Sequence, residues 1–157
     1  MRPALALGTL LALAALRLAL HTFTNGQYGF HRDELAFLAD ARRLDWCFPA
    51  YPALTPLIAR LGLTLFGGSP AGVRLFASLA QCGVMLLAGM MARELGGGRR
   101  AQSLAAVAVS VYPVSIKKKH LFQYVSFDLF WCVLLSWVVL RMLSSGDSRW
   151  LAAAGVV

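Results

Sequence analysis

Residues 28–38 read YGFHRDELAFL, a charged stretch between apolar segments of the chain. One apolar segment precedes it and several follow, so the adjacent carboxylates of Asp33 and Glu34 lie close to where a chain would leave a bilayer. Acidic residues within or beside membrane segments are rare and tend to mark sites for a substrate, an ion or a proton. The stretch is therefore the first candidate for a functional site, and a solvated loop is the alternative.

The composition indicates a membrane protein. Of the 157 residues, 59% are hydrophobic and 14% are charged, against about 45–50% and 25% in ordinary globular domains. The mean hydropathy is +0.65. The formal net charge is +8, but the basic residues are spread between apolar segments and form no long run with interleaved aromatics. This pattern predicts contact with membrane lipids and no nucleic-acid partner.

The cysteines do not indicate a metal or redox site. Cys47, Cys82 and Cys132 are far apart and show no CxxC or Cys/His spacing. We interpret them as structural thiols and expect no zinc site.

The apolar segments predict an all-α, polytopic integral membrane protein with about four transmembrane helices and the start of a fifth. A helix of about 20 apolar residues crosses the hydrocarbon, and the segments lie at about 3–23, 71–94, 101–116, 127–143 and 150–157. Because the last segment is incomplete, we expect the N-terminal portion of a longer protein, whose missing C-terminal part would be a partner.

The first segment has an alternative interpretation. Met1 and Arg2 followed by an Ala/Leu run also fit a signal peptide, although no clear cleavage site follows. If the segment is a span, Arg17 lies near its far end, and we expect its side chain to extend to the interface.

Residues 28–68 predict an external loop with interfacial helices. The pattern from Asp33 onward is that of a short amphipathic helix, and the apolar run at 57–66 is too short to span comfortably. Ser69 and Pro70 predict the cap and the first residue of the next helix.

Alternation of the spans predicts the orientation. If Arg2 is cytoplasmic, residues 28–68 and the KKKH segment at 117–120 face outward, together with Asp128 at the start of a later span. The positive-inside rule supports the basic turn at 96–100 but is contradicted by Lys117–Lys119. Those lysines either hold a lipid-linked phosphate, for which ammonium groups are good partners, or form a solvated loop. Asp128 is either a second site carboxylate or a helix cap with Ser126.

The glycines at 96–98 do not indicate a nucleotide site. The turn lacks the G-x-x-x-x-G-K-[ST] pattern, and no strand is predicted before it.

Several motifs together resemble the start of bacterial GT-C glycosyltransferases, and more narrowly the group related to protein O-mannosyltransferases and the lipid A aminoarabinose transferase. Their order and spacing carry the resemblance, which covers nearly all of this chain and about the first third of such a family member. The motifs are YGFHRDEL at 28–35, LDW at 44–46, PALTPL at 52–57, LFGGSP at 65–70, ARELGG at 92–97, HLF at 120–122 and FDLFW at 127–131.

The resemblance implies a multi-pass enzyme of the bacterial inner (plasma) membrane. Such an enzyme transfers a sugar from a polyprenyl-phosphate-linked donor to a lipid, glycan or protein acceptor on the extracytoplasmic face. The family's essential acidic motif maps onto Asp33 and Glu34, and its second acid maps onto Asp128. An acceptor hydroxyl needs a base, for which Asp33 is the candidate. Glu34 and Asp128 would assist it.

The resemblance also suggests ligands for the site. Asp33, Glu34 and Asp128 would offer hard oxygen ligands to Mg²⁺ or Mn²⁺, if a divalent metal is used. The candidate substrate-binding residues are Tyr28, Arg32, Lys117, Lys118 and His120.

The chain departs from the family pattern in places. It has Tyr51-Pro52-Ala53 where the family often has His-Pro-Pro, and Lys117–Lys119 replaces a stretch that is usually small and apolar. The alternative function is a non-catalytic membrane fragment or a transporter-like subunit in which the three carboxylates are loop and cap residues. Inverted-repeat transporters would show matching broken helices in two halves, and the sequence shows no such repeat.

Overall fold

The structure is a computed structural model that describes residues 3–46, 48, 51–111, 122–147 and 149–156. Within these ranges all regular structure is helical. The helices are α1 (Leu7–Asn25), α2 (Arg32–Arg42), α3 (Leu54–Phe66), α4 (Pro70–Glu94), α5 (Arg99–Val111), α6 (Tyr124–Ser145) and α7 (Arg149–Val156).

Helices α1, α4 and α6 are long and apolar enough to cross a membrane. They correspond to the predicted spans at 3–23, 71–94 and 127–143. Helix α5 has 13 residues, and the predicted end of that span, 112–116, lies outside the described residues. Helix α7 has 8 residues and corresponds to the predicted start of a fifth span. The described chain therefore supports a helical membrane protein with three candidate spans.

Helix α4 is the centre of the bundle and contacts α1, α3, α5 and α6. Within its most apolar window 44% of residues are buried, against 17% in α1 and in α6. Small residues permit the close packing, as expected where helices associate without a hydrophobic driving force. A Cβ on Gly83 would lie 2.5 Å from the Phe130 ring of α6, and one on Gly89 would lie 2.6 Å from Leu10 of α1.

The end of α4 near Glu94 is held by polar side chains. Arg141 of α6 donates from Nη1 to Glu94 Oε1 at 2.8 Å, in an ion pair whose Glu94 side chain is 3% exposed. Gln102 of α5 is fully buried. It accepts from the backbone N–H of Ala6 at 2.9 Å and donates to the carbonyl of Ala4 at 3.1 Å. We call this end of the bundle the Glu94 end.

Helices α2 and α3 pack together at the opposite end of the bundle. Their buried side chains form one apolar cluster with residues of α4, of α6 and of the segment before α6. The cluster comprises Phe37, Leu38, Ala41, Ala59, Val73, Phe122 and Phe127. The sequence predicted two short helices between 28 and 68, and both are present. The start of α4 was also predicted, with Pro70 in its first turn, but the Ser69 side chain makes no capping hydrogen bond.

Candidate functional site

Helix α2 begins with a capping box built on histidine. His31 is extended, with φ −73° and ψ 154°, and its side chain accepts from the Asp33 backbone N–H at 3.3 Å. In return the His31 N–H donates to Glu34 Oε2 at 2.8 Å. A cap of this kind satisfies two N–H groups that the first turn leaves without helical partners. The residues His31 to Glu34 thus fix where α2 starts and orient the Asp33 and Glu34 residues in its first turn.

Glu34 is fully buried and paired with Arg74 of α4. Arg74 donates from Nε to Glu34 Oε1 at 2.8 Å and from Nη2 to Glu34 Oε2 at 2.7 Å. Oε1 also accepts from the Phe122 backbone N–H at 2.8 Å. With the His31 bond, each carboxylate oxygen accepts two hydrogen bonds, so this carboxylate has no capacity left for a substrate.

The remaining donors of Arg74 hold the chain between α1 and α2. Nη1 donates to the carbonyls of Asn25 at 2.7 Å and Tyr28 at 3.1 Å, and Nη2 donates to that of Gly29 at 2.7 Å. All five N–H groups of the guanidinium are therefore used. We call Arg74, Glu34 and these backbone partners the Arg74–Glu34 hub. It joins α1, α2, α4 and the segment before α6 at one point.

The hub keeps Glu34 ionised. Burial by itself raises the pKa of Glu34, but hydrogen bonds from Arg74, His31 and Phe122 and the charge of Arg74 outweigh it, so the pKa lies below its ordinary value. A buried ion pair stabilises a fold only when its hydrogen bonds are complete, as they are here.

Asp33 has the opposite environment, although it is the adjacent residue. Its side chain is 43% exposed, and Oδ2 accepts from Gln123 Nε2 at 3.2 Å. Arg32 Nε lies 3.6 Å from Oδ1, and His31 Nδ1 lies 3.7 Å from Oδ2. The Asp33 carboxylate thus accepts a hydrogen bond from Gln123 and is partly open to solvent.

Arg32 directly precedes Asp33 in the chain, and Tyr28 lies five residues before it. The Arg32 side chain is 94% exposed, and Tyr28 is 73% exposed. Tyr28 lines a cavity of about 440 Å³ next to the hub. We call it the hub cavity, and it is lined by His21, Thr24, Asn25, Tyr28, Gly29, Phe30, His31 and Arg74.

Asp128 lies in the second turn of α6 and is exposed. Among the described residues it has no hydrogen-bond or ion-pair partner. The interpretation of Ser126 as a cap does not hold, because α6 begins at Tyr124 with Gln123 at the cap position. Asp128 lines a separate cavity of about 350 Å³ with residues of α3, α6 and α7.

The structure therefore connects Asp33 and Glu34 with the residues before α6, and it gives Asp128 no bonded partner among the described residues. In the part of the chain that the structure describes, no group of three or more His, Cys, Asp or Glu residues could hold a metal ion. Lys117, Lys118 and His120 lie outside the described residues.

Comparison with known families gives one match. The family described as dolichyl-phosphate-mannose-protein mannosyltransferase matches residues 50–157, more than half of the chain. The chain belongs to this mannosyltransferase family. The match includes Arg74 and Asp128 and begins after the 28–38 stretch. No curated protein and no solved structure matched the chain.

The membership makes the chain a glycosyltransferase by family, as the resemblance implied, and the three long apolar helices agree with a membrane protein. Tyr51 is one of the residues at which this mannosyltransferase-family chain departs from the family pattern. Its contacts are defined in the structure. Its hydroxyl donates to Asp40 Oδ2, and its ring stacks on Tyr124 at 6.1 Å. Burial and the Asp40 carboxylate raise the pKa of Tyr51 to about 12. Tyr51 therefore ties α2 to the start of α6.

Arg74 and Gln123 were missed at the sequence level in this member of the mannosyltransferase family. In the sequence Arg74 is only one charge near the start of the apolar segment at 71–94. A buried carboxylate needs a cationic partner, so knowing that Glu34 is buried would have pointed to an arginine such as Arg74. Nothing in the sequence marks Glu34 as buried. No sequence pattern pointed to Gln123, because its relevance comes only from its hydrogen bond to Asp33 in the folded chain.

Proposed function

We propose that the chain transfers a glycosyl group from a polyprenyl-phosphate-linked donor to a hydroxyl of a lipid, glycan or protein. The reaction takes place on the extracytoplasmic face of the plasma membrane, with Asp33 as general base. The observation that carries the proposal is the contrast at 33–34. Glu34 is buried and all of its acceptor positions are used by the hub, whereas Asp33 is half-exposed and lies next to His31, which lines the hub cavity.

The reaction follows from ordinary displacement chemistry. The Asp33 carboxylate accepts the proton of the acceptor hydroxyl while the hydroxyl oxygen forms a bond to the anomeric carbon. The bond from that carbon to the phosphate oxygen breaks, and the lipid phosphate leaves as an anion that cations can stabilise. Lys117, Lys118 and His120 are proposed for this task from the sequence alone.

Glu34 and Asp128 have different parts in the proposal. Glu34 is a positioning residue, because both of its oxygens are bonded to Arg74 and to backbone donors. Asp128 is a second exposed carboxylate close to the start of α6, suited to bind a sugar hydroxyl or acceptor group. Because the described carboxylates form no cluster suited to Mg²⁺ or Mn²⁺, we derive no step through a metal.

The test is transfer of labelled mannose, the sugar that the family's description names, from polyprenyl-phosphate mannose in membranes containing the chain. We expect Asp33→Asn to lower the transfer rate at least about hundredfold, the contribution typical of a positioned general base. Asp45→Asn changes an exposed acid outside the site and should leave the rate unchanged. Full transfer in Asp33→Asn would contradict the role of Asp33. Absence of transfer from any polyprenyl-phosphate sugar would contradict the proposed reaction.

A further inference from the structure

Arg17, whose side chain was expected from the sequence to extend to the membrane interface, is buried in the described part of the bundle. It is only 8% exposed, and its Nε has no hydrogen-bond partner. Within residues 3–46, 51–111 and 122–147, its guanidinium makes no hydrogen bond or ion pair. Arg17 precedes the end of α1 by eight residues, a rise of about 12 Å along the helix. An unpaired cation at that depth in a span is costly, and such residues typically face a substrate or ion pathway.

The cavity beside Arg17 is otherwise mostly apolar. It has a volume of about 350 Å³ and lies between α1, α4 and α5. We call it the Arg17 cavity. Its apolar wall is formed by Leu13, Leu16, Leu20, Met85 and Val107. A buried guanidinium in an apolar wall suits a ligand that carries one anionic group on a hydrocarbon chain.

The Arg17 cavity adjoins the hub cavity. His21 and Thr24 line both of them, and His31, which caps α2 next to Asp33, lines the hub cavity. His21 follows Arg17 by one helical turn on the same face of α1. A ligand could therefore lie along α1 with its anionic group near Arg17 and His21 and with a polar group in the hub cavity.

We propose that the Arg17 cavity holds the phosphate of the polyprenyl-phosphate carrier and the start of its isoprenoid chain. Arg17 donates to the phosphate oxygens, the chain packs on Leu13 and Leu16, and the sugar of a loaded carrier extends into the hub cavity. The inference rests on the proposed function and assigns a binding residue to it. The bound anion would also supply the partner that Arg17 lacks.

The test measures binding of polyprenyl phosphate, without a sugar, to the full chain in nanodiscs of neutral lipid. We expect the carrier to raise the melting temperature of the wild type and Arg17→Gln to weaken its binding about tenfold to hundredfold, as expected for loss of a charged hydrogen bond. Arg17→Lys keeps the charge and should retain part of the affinity. Arg60→Gln removes an exposed arginine of α3 and should bind as the wild type does.

Repeating the measurement with phosphatidylglycerol in place of polyprenyl phosphate shows whether the cavity selects the carrier or binds any anionic lipid. If phosphatidylglycerol binds equally well and Arg17→Gln weakens both, the cavity is a general anionic-lipid site and the inference is overturned. Equal binding of the carrier by wild type and Arg17→Gln, or no binding by the wild type, also overturns it. Because Arg17→Gln removes an unpaired buried charge, its melting temperature without ligand should not fall, which shows that the variant is folded.

Measuring carrier binding and glycosyl transfer in the same variants distinguishes a failure of this inference from a failure of the proposed function. Asp33→Asn should bind the carrier normally while transfer is lost. Normal binding by Arg17→Gln together with loss of transfer in Asp33→Asn would leave the proposed function standing without this site. Arg17-dependent binding without transfer in the wild type would leave the site standing without the reaction.

Discussion

Two adjacent carboxylates at the start of α2 differ completely in surroundings. Glu34 is fully buried, whereas the Asp33 side chain is 43% exposed. The sequence marked both as candidates for catalysis and for metal binding, because an acidic pair beside an apolar segment is unusual. It could not divide the roles between them, since the division depends on Arg74, 40 residues further along the chain.

We predict that Glu34→Gln destabilises the protein by about 3–5 kcal/mol, the effect of breaking a buried ion pair from one side. Glutamine has the same shape as glutamate, but its NH₂ group would replace an oxygen that accepts two hydrogen bonds in the wild type. That NH₂ group would face two donors. Thermal unfolding in detergent measures the effect. Asp33→Asn is the matched control, and its half-exposed carboxylate should change stability by less than about 1 kcal/mol. Equal melting temperatures for Glu34→Gln and the wild type would contradict the hub.

The same variant predicts a pH dependence. Because the folded pKa of Glu34 lies below its ordinary value of 4.5, its stabilisation is complete above that pH and is lost as the pH falls through the folded pKa. The difference in melting temperature between wild type and Glu34→Gln should therefore be constant near neutral pH and should shrink in acid. A difference that stays the same down to the acid limit would show that the charge of Glu34 contributes nothing.

At the scale of elements, the sequence predicted the helices that have clear punctuation. Pro70 opens α4, and Gly67, with φ 62°, ends α3. Predicted bounds of α1 and α4 differ from the observed ones by a few residues at most. The cap of α2 was not predicted, because His31 replaces the usual Ser or Thr of a capping box. The span predicted at 101–116, of which α5 covers the described part, stays a prediction.

The junction of α3 and α4 depends on a glycine. A Cβ on Gly72 would lie 2.2 Å from Phe66 Cβ, an atom too close to the backbone to move away. We expect Gly72→Ala to lower stability by about 1–3 kcal/mol, as overpacking usually does. Gly8→Ala in α1 is the matched control, because no atom lies within 4 Å of its added Cβ, and it should be neutral or slightly stabilising. Thermal unfolding of both variants checks this, and equal stability would show that the junction can relax.

For the whole molecule, the hub places residues 25–34 and the segment before α6 at one end of the bundle, because Phe122 donates to Glu34. In the sequence, the alternation of predicted spans had also placed residues 28–68 and the start of the span at 127–143 on one side of the membrane. Charge counting could not decide which end faces outward, since both ends carry arginines. Packing of α4 at the centre was not predictable either, because it depends on which small residues face which neighbour.

We predict that the hub end is extracytoplasmic. In a cysteine-free background, Arg42→Cys at the end of α2, whose first turn carries Glu34, should react with a membrane-impermeant maleimide on intact cells. Arg99→Cys, at the Glu94 end, should react only after the membrane is permeabilised. Both positions are exposed, so accessibility of the side chain does not limit either reaction. The reverse labelling pattern would place Asp33 on the cytoplasmic side and would exclude transfer at the outer face.

The Arg74–Glu34 hub also sets an order of events during synthesis. Arg74 bonds the carbonyl of Asn25, which is made 49 residues earlier, and the Phe122 N–H reaches Glu34 across 88 residues. Until α4 has been synthesised, Glu34 lacks Arg74, the cation with which it is paired in the folded chain. The residues proposed for catalysis are thus encoded early and reach their final geometry late. A ribosome would have to make most of this chain before Asp33, the proposed base, could be held next to Gln123.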